Sequence, residues 1–136
     1  MKRRRPESVI QAAVFDHLRI RGVPGILAWH TPNGGYRSKI EARIFSGLGV
    51  MPGLPDVFIL KNGCLHGLEL KSPGGGRLTA AQIECHARLE AAGCKIAVAV
   101  GIDQALAQLE TWNLVRGVAG IRSPALSTAV MTGLVQ

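Results

Sequence analysis

The sequence predicts a mixed α/β fold in which helices pack against one sheet. Two apolar runs, 56–61 and 64–71, are separated only by Asn62 and Gly63, and an Asn-Gly pair between such runs is the strongest short signal for a β-hairpin. A third apolar run, 95–100, lies between two segments with helical periodicity, as a buried strand does. These patterns place strands and helices in one packed unit.

The elements are predicted in the order α, β, α, β, β, α, β, α. The first helix follows from the spacing of its apolar residues, and Gly22 and Pro24 end it. The segment 50–55 cannot be regular because Pro52 and Pro55 interrupt it. The predicted helices are 7–21, 38–48, 79–92 and 103–115, and the predicted strands are 26–30, 56–61, 64–71 and 95–100.

The helix predicted over 79–92 carries two apolar rows. Both rows repeat at helical spacing, so we expect this helix to be covered on two sides. One row holds Ile83, Ala87 and Ala91, and the other holds Cys85, Leu89 and Ala92.

Composition indicates a polyanionic partner. The chain has 136 residues, a net charge of +7 and a pI near 10.0. This size suits one domain, and the charge favours nucleic acid ahead of an anionic membrane surface. No apolar run reaches the ~18 residues of a membrane span, so no membrane partner is expected.

We expect three parts along the chain. Residues 1–6 form a basic disordered arm, 7–116 form the domain, and 117–136 form a C-terminal tail or helix. The arm holds Lys2, Arg3, Arg4 and Arg5, which either grip phosphates or remain solvated.

The cysteines indicate a reduced, cytoplasmic protein. There are three, an odd number, and none are spaced as CxxC. Neither a disulfide framework nor a structural zinc site is therefore expected. No N-terminal segment has the apolar core of a signal peptide.

The hairpin predicts a pair of opposed carboxylates. If Asn62 and Gly63 are the two turn residues, paired positions add up to 125, and Asp56 falls opposite Glu69. Directly opposed residues have Cβ atoms ~4.5–5.5 Å apart on one face. Lys71 lies two residues beyond Glu69, so it points to the same face.

Two carboxylates at that distance repel, and a hard divalent cation resolves the conflict. Mg²⁺ or Mn²⁺ prefers oxygen ligands, acidifies a bound water and stabilises charge on a phosphate. Lys71 would then orient the water or stabilise the anionic transition state. The alternative is an exposed strand pair, Glu69 and Lys71, with Asp56 merely following a turn proline.

The same residues carry a family resemblance. Pro55-Asp56 followed by Glu69, Leu70 and Lys71 looks like the PD-(D/E)xK nuclease superfamily. The stretches GVMPGLPDVFIL, GLELKSPGGGRLTAAQ and KIAVAV resemble the VRR-type nuclease domain. HTPNGG and RSKIEAR match its stand-alone phage and bacterial forms. The resemblance covers roughly residues 7–115.

This resemblance implies a restriction-endonuclease-like mixed sheet flanked by helices, and a site with defined roles. It implies metal binding by Asp56, Glu69 and the backbone carbonyl of Leu70, and catalysis by those carboxylates with Lys71. It also implies a glutamine on the following helix and a glutamate on the first helix, which match Gln82 and Glu7.

Gln82 and Glu7 each have a structural explanation as well. Thr79 and Gln82 form a capping box, and we expect the Gln82 side chain to serve the cap or the site, one at a time. Glu7 suits a helix N-terminus as a negative charge.

The resemblance further implies the activity and the partners. It implies a structure-selective DNA endonuclease that leaves 5′-phosphate ends, acts on branched DNA such as Holliday junctions, and forms a homodimer, in the cytoplasm of a bacterium or a phage-infected cell. The alternatives are a sequence-specific or nonspecific nickase and a non-catalytic DNA-binding module.

The remaining candidates are polar residues near the predicted centre in sequence. His30 either faces substrate or lies on the surface, whereas His66 points to the face opposite Glu69 and is excluded. Basic residues are read as phosphate contacts, with a solvated surface as the alternative. They are Arg37, Lys39, Arg43 and Arg77.

Overall fold

The computed structural model describes residues 6–32 and 38–117. They form eight elements in the predicted order. The helices are α1 (Glu7–Arg21), α2 (Lys39–Gly47), α3 (Ala80–Ala91) and α4 (Gly101–Thr111), and the strands are β1 (Leu27–His30), β2 (Val57–Lys61), β3 (Cys64–Lys71) and β4 (Lys95–Val100).

The four strands form one mixed sheet in the order β1-β2-β3-β4. β1 and β2 pair antiparallel, as do β2 and β3, whereas β4 runs parallel to β3. A parallel pair needs a long crossover connection, and α3 supplies it. Asn62 and Gly63 adopt left-handed φ values of 51° and 77°, as a tight hairpin turn requires.

The core lies on the sheet face that α1 and α4 cover. Side chains of β3 alternate between the two faces, so Leu68 and Leu70 enter this core at 0% and 1% exposure. α1 contributes Ile10 and Val14 to it, and both are fully buried. The opposite face of β3 therefore presents Glu69 and Lys71 towards α3.

Helix α4 differs from its prediction. It was expected over 103–115 and is observed at Gly101–Thr111. It ends because Asn113 adopts a left-handed φ of 59°. The chain then turns back, and Val115 forms an antiparallel bridge with Gly22. The apolar residues after position 111 are therefore buried in a non-helical segment and do not extend the helix.

The prediction that α3 is covered on two sides is wrong. Ile83 is 57% exposed, whereas Cys85 and His86 are buried. The row formed by Ile83, Ala87 and Ala91 lies on the solvent face, whereas Cys85 of the other row is buried. The helix instead buries a histidine that its hydrophobic pattern did not mark.

Helix α2 stands apart from the core. Ser38 begins it with a capping box to Glu41, which satisfies free N–H groups at the helix start. None of its described residues is buried. Ile40, Ile44 and Leu48 are 73%, 56% and 75% exposed, so an apolar row lies open to solvent.

Some expectations fall outside the described residues. They are the basic arm with Arg3, Arg4 and Arg5, the loop residue Arg37, and the segment 118–136. Cys64, Cys85 and Cys94 are free thiols. Among the helices in the described part of the chain, none is both long and apolar enough to cross a bilayer.

Candidate active site

The hairpin brings Asp56 and Glu69 together. The observed register pairs Val57 with Leu68 and Lys61 with Cys64, as the two-residue turn predicts. β2 begins at Val57, so Asp56 lies just before the ladder rather than within it. Its Oδ2 accepts a 2.8 Å hydrogen bond from the Leu70 backbone N–H, which fixes the Asp56 carboxylate beside Glu69.

The Glu69 carboxylate is almost fully buried. Its residue is 2% exposed. Gln82 Nε2 donates to Oε2 at 3.1 Å, and Lys71 Nζ lies 3.7 Å from the same oxygen. Oε1 is buried and has no hydrogen-bond partner within the described part of the chain. One oxygen is therefore held in place, and the other is free to bind a further group.

Burial raises the pKa of Glu69 to about 8. Removal from water is the largest cause, and the Asp56 charge is the next. Lys71 opposes both effects, whereas the Glu7 charge adds to them. A bound cation would reverse the balance by favouring the ionised carboxylate.

Gln82 serves the helix cap and the site at the same time. Its Oε1 accepts from the Thr79 backbone N–H at 2.9 Å and from Lys71 Nζ at 3.4 Å. Its Nε2 simultaneously donates to Glu69. The expectation that the side chain reaches one target at a time is wrong, because an amide has two ends with opposite hydrogen-bonding roles.

The loop before β2 holds α3 against the site. Gly53 has a φ of +82°, and a Cβ there would lie 2.4 Å from the Ala81 carbonyl oxygen and 2.8 Å from the Gln82 backbone nitrogen. Only glycine permits so close an approach in that conformation. The loop that leads to Asp56 therefore sets the position of Gln82 as well.

His86 is a site residue that the sequence analysis missed. It is buried, and its Nε2 lies 3.8 Å from Glu69 Oε1. Burial lowers the pKa of His86, and the charges of Glu90 and Asp56 oppose this shift. A signal was present, because His86 follows Gln82 by four positions and therefore shares its helix face.

The oxygen donors of the site suit a hard cation, although the protein side chains supply few of them. In residues 6–32 and 38–117, no three His, Cys, Asp or Glu side chains are arranged to hold a metal ion. Asp56 and Glu69 would have to be supplemented by backbone oxygen, water or phosphate oxygen, as Mg²⁺ usually is in proteins. The unpartnered Glu69 Oε1 fits such an ion.

Comparisons with known proteins identify the fold. No protein-family model and no curated protein matches the sequence. A solved structure titled "VRR_NUC domain protein" superposes with a TM-score of 0.63 at 24% identity, covering 79% of this chain and 88% of that one. Another, titled "VRR_NUC domain", has a TM-score of 0.54 at 19% identity, covering 78% and 96%.

The chain has the VRR_NUC fold. This confirms the predicted fold class and, at the level of fold, the resemblance read from the sequence. Identities this low establish the architecture alone, so the chemistry has to be argued from the residues.

Within the VRR_NUC fold, Glu7 and Leu70 lie near the Asp56 and Glu69 carboxylates. Glu7 is exposed in the first turn of α1, and its charge contributes to the raised pKa of Glu69. Leu70 has its backbone N–H bonded to Asp56 and its side chain in the core. Their roles as catalytic residue and carbonyl ligand stay predictions.

The two histidines on β1 and β3 lie in different surroundings. His66 lies on the core side, where its ring packs 5.1 Å from that of Trp112, so its exclusion from the site agrees with the structure. His30 is exposed, and its Nδ1 lies 3.0 Å from the Asp56 carbonyl oxygen. His30 therefore adjoins the loop that carries Asp56.

The described basic candidates are all solvent-exposed. Lys39 and Arg43 project from α2, and Arg77 lies in the loop between Lys71 and α3. Arg77 is thus tied by short chain segments to two site residues. Contact of these side chains with phosphates stays a prediction, and Arg37 lies outside the described residues.

Proposed function

We propose that this protein is a metal-dependent DNA endonuclease that hydrolyses phosphodiester bonds. The observation that carries the proposal is the buried Glu69 carboxylate beside Asp56, with one oxygen held by Lys71 and Gln82 and the other unpartnered. A buried carboxylate oxygen without a partner is costly, and a stable fold retains one where a ligand completes it. The neighbours titled VRR_NUC support the nuclease class.

Asp56, Glu69 and the Leu70 carbonyl are the groups that would hold Mg²⁺ or Mn²⁺. All three are oxygen donors, which these cations prefer. The cation would acidify a water molecule and offset charge on the phosphate. The raised pKa of Glu69 accords with this assignment, because a buried carboxylate beside a second carboxylate needs a positive charge nearby if both are to be ionised.

Lys71 supplies the second positive charge. Its ammonium group lies 3.4 Å from Gln82 Oε1 and 3.7 Å from Glu69 Oε2, and its side chain is 15% exposed. An ammonium has three N–H donors, so donors remain for a phosphate oxygen or the attacking water. Gln82 bonds to both Lys71 and Glu69 and so holds their side chains in fixed positions. The Lys71 charge is then already in place to stabilise the transition state without reorganisation.

The substrate we propose is DNA, and branched DNA in particular. The net charge of +7 favours a polyanion. Lys39, Arg43 and Arg77 are exposed, and we propose that they contact phosphates rather than bases. Binding through the backbone selects the shape of DNA more than its sequence, as a structure-selective enzyme requires.

Cleavage of a labelled four-way junction tests the activity. We expect Mg²⁺ or Mn²⁺ to support nicking by the wild type, and Lys71→Ala to stop it while junction binding persists. Lys95→Ala is the matched control, because it removes the same charge from an exposed position at the far end of β4. It should cleave like the wild type.

Each other outcome has a defined meaning. Equal cleavage by wild type and Lys71→Ala would exclude the proposed role of Lys71. A preference for linear duplex would indicate a sequence-specific or nonspecific nickase. Binding without cleavage under any divalent cation would indicate a DNA-binding module.

We propose further that two copies act together, because symmetric cleavage of a four-way junction needs two sites. The open apolar row on α2, formed by Ile40, Ile44 and Leu48, is the surface we assign to the partner. Ile44→Glu should yield a monomer in sedimentation velocity, whereas Ala42→Glu on another side of α2 should leave the wild-type mass. A wild type that sediments as a monomer at micromolar concentration contradicts the dimer.

A further inference from the structure

Two unpartnered buried atoms face each other across the α3–β3 contact. Among the described side chains, the buried atoms without a hydrogen-bond partner are Arg21 Nη2, Glu69 Oε1 and His86 Nε2. The last two are 3.8 Å apart, which exceeds a hydrogen bond by less than 1 Å. Buried polar atoms are seldom left unpaired, so a facing pair indicates an interaction that forms in another state of the site.

The placement of His86 is specific to the carboxylate. Gln82 and His86 lie one helical turn apart on the same side of α3, and they approach different oxygens of Glu69. Gln82 Nε2 reaches Oε2 at 3.1 Å, and His86 Nε2 faces Oε1. The neighbouring Cys85 turns elsewhere and contacts Met51, with Sγ 3.4 Å from Sδ.

We propose that His86 is a positioning residue that donates an Nε2–H hydrogen bond to Glu69 Oε1 when this carboxylate binds the divalent cation. With Gln82 on Oε2, it fixes the carboxylate plane from both sides. An oxygen with two lone pairs can accept this bond and still bind the cation. The inference rests on the proposed function and adds a residue to it.

The physical consequence is pre-organisation of a metal ligand. Hydrogen bonds to a ligating carboxylate hold its orientation and tune its strength as a ligand, and their loss typically costs about 10- to 100-fold in metal affinity. Without His86, the Glu69 carboxylate would be held at Oε2 alone, by the hydrogen bond from Gln82, and could change its orientation. The effect therefore appears in cation binding before any DNA is added.

Calorimetric titration of Mn²⁺ into the DNA-free full-length protein tests the inference. We expect His86→Ala to weaken Mn²⁺ binding about 10- to 100-fold. His86→Gln should restore binding to within about threefold, because its amide N–H reaches a position similar to imidazole Nε2. Cys85→Ala is the matched control, since it truncates the adjacent buried residue of α3 and should bind Mn²⁺ normally.

A second comparison asks whether His86 acts through Glu69. In a Glu69→Gln background, His86→Ala should weaken Mn²⁺ binding no further, because the group it positions is gone. Additive losses would overturn the inference, since His86 would then act on the cation independently. Thermal melts of all variants identify any that lose affinity by unfolding, and His86→Gln is then the deciding variant.

Failure of this inference is distinguishable from failure of the proposed function. If the wild type binds Mn²⁺ and cleaves DNA while His86→Ala binds Mn²⁺ equally well, the role of His86 is refuted and the nuclease stands. If the wild type binds no divalent cation, the metal-dependent function fails, and the inference fails with it.

Discussion

The two faces of β3 bury neighbouring residues to a similar extent, but one face buries apolar side chains and the other buries a carboxylate. Leu68 and Leu70 on the α1–α4 face are 0% and 1% exposed, and Glu69 between them is 2% exposed on the α3 face. The leucines gain from burial, at roughly 25 cal/mol per Å² of apolar surface. Glu69 loses from burial, as the rise of its pKa to about 8 shows.

This difference teaches that burial alone does not indicate a stabilising residue. Burial of the leucines stabilises the position of β3, and this offsets the cost of burying the Glu69 carboxylate on the other face. Proteins commonly hold such destabilised groups at functional sites and offset them elsewhere. Substitutions on the α3 face should therefore mainly affect activity, and substitutions on the leucine face should mainly affect stability.

The largest expected effect comes from Glu69→Gln. The amide keeps the shape of the side chain but not its charge, so cleavage should fall about a thousandfold or more, which corresponds to roughly 4 kcal/mol of transition-state stabilisation. Initial rates on the four-way junction measure the loss. A folded variant that retains more than a tenth of wild-type activity would remove Glu69 from the proposed centre.

Leu68→Ala should show the converse. Truncating this fully buried side chain leaves a cavity and should cost about 2–5 kcal/mol of unfolding free energy, measured by urea denaturation. The fraction that remains folded should cleave at the wild-type rate. If stability is unchanged and the rate falls instead, the two faces do not divide their roles as described.

A further expected effect, spread over several pH units, is a dependence of stability on pH in the cation-free protein. Because folding raises the pKa of Glu69 from 4.5 to about 8, its contribution is fully present below pH 4.5 and is lost as pH rises through 8. The melting temperature should fall across that window. In Glu69→Gln this component should be absent, so that above pH 8 the variant melts at the higher temperature.

Saturating Mn²⁺ provides the control for the pH prediction. The cation binds the ionised carboxylate, so it should stabilise the wild type more at high pH than at low pH. The difference between the melting curves with and without Mn²⁺ measures this linkage. A cation effect independent of pH would argue against Glu69 as a ligand.

The sequence predicted the hairpin well because its signals are local. Asn62 and Gly63 specify the turn, and strand alternation then assigns Glu69 and Lys71 to one face and His66 to the other. No long-range information is needed for that step. The register of β2 against β3 is accordingly as predicted.

Features that depend on packing between distant segments could not be predicted from periodicity. Hydrophobic spacing marked Ile83 for burial, but β3 presents a carboxylate to α3, so the side of the helix that carries Cys85 and His86 turns inward instead. The dual role of Gln82 also depends on how closely Gly53 lets α3 approach the loop. The spacing of four places His86 on the helix face of Gln82, but nothing local in the chain indicates which segment that face contacts.

The hairpin turn places an unusual demand on a surface position. Asn62 and Gly63 are exposed, and surface loops generally tolerate changes in length. Here, inserting a single residue would shift the pairing by one and direct Asp56 to the opposite face from Glu69. Loop length at this solvent-facing tip is therefore expected to be as resistant to evolutionary drift as Asp56 and Glu69 themselves.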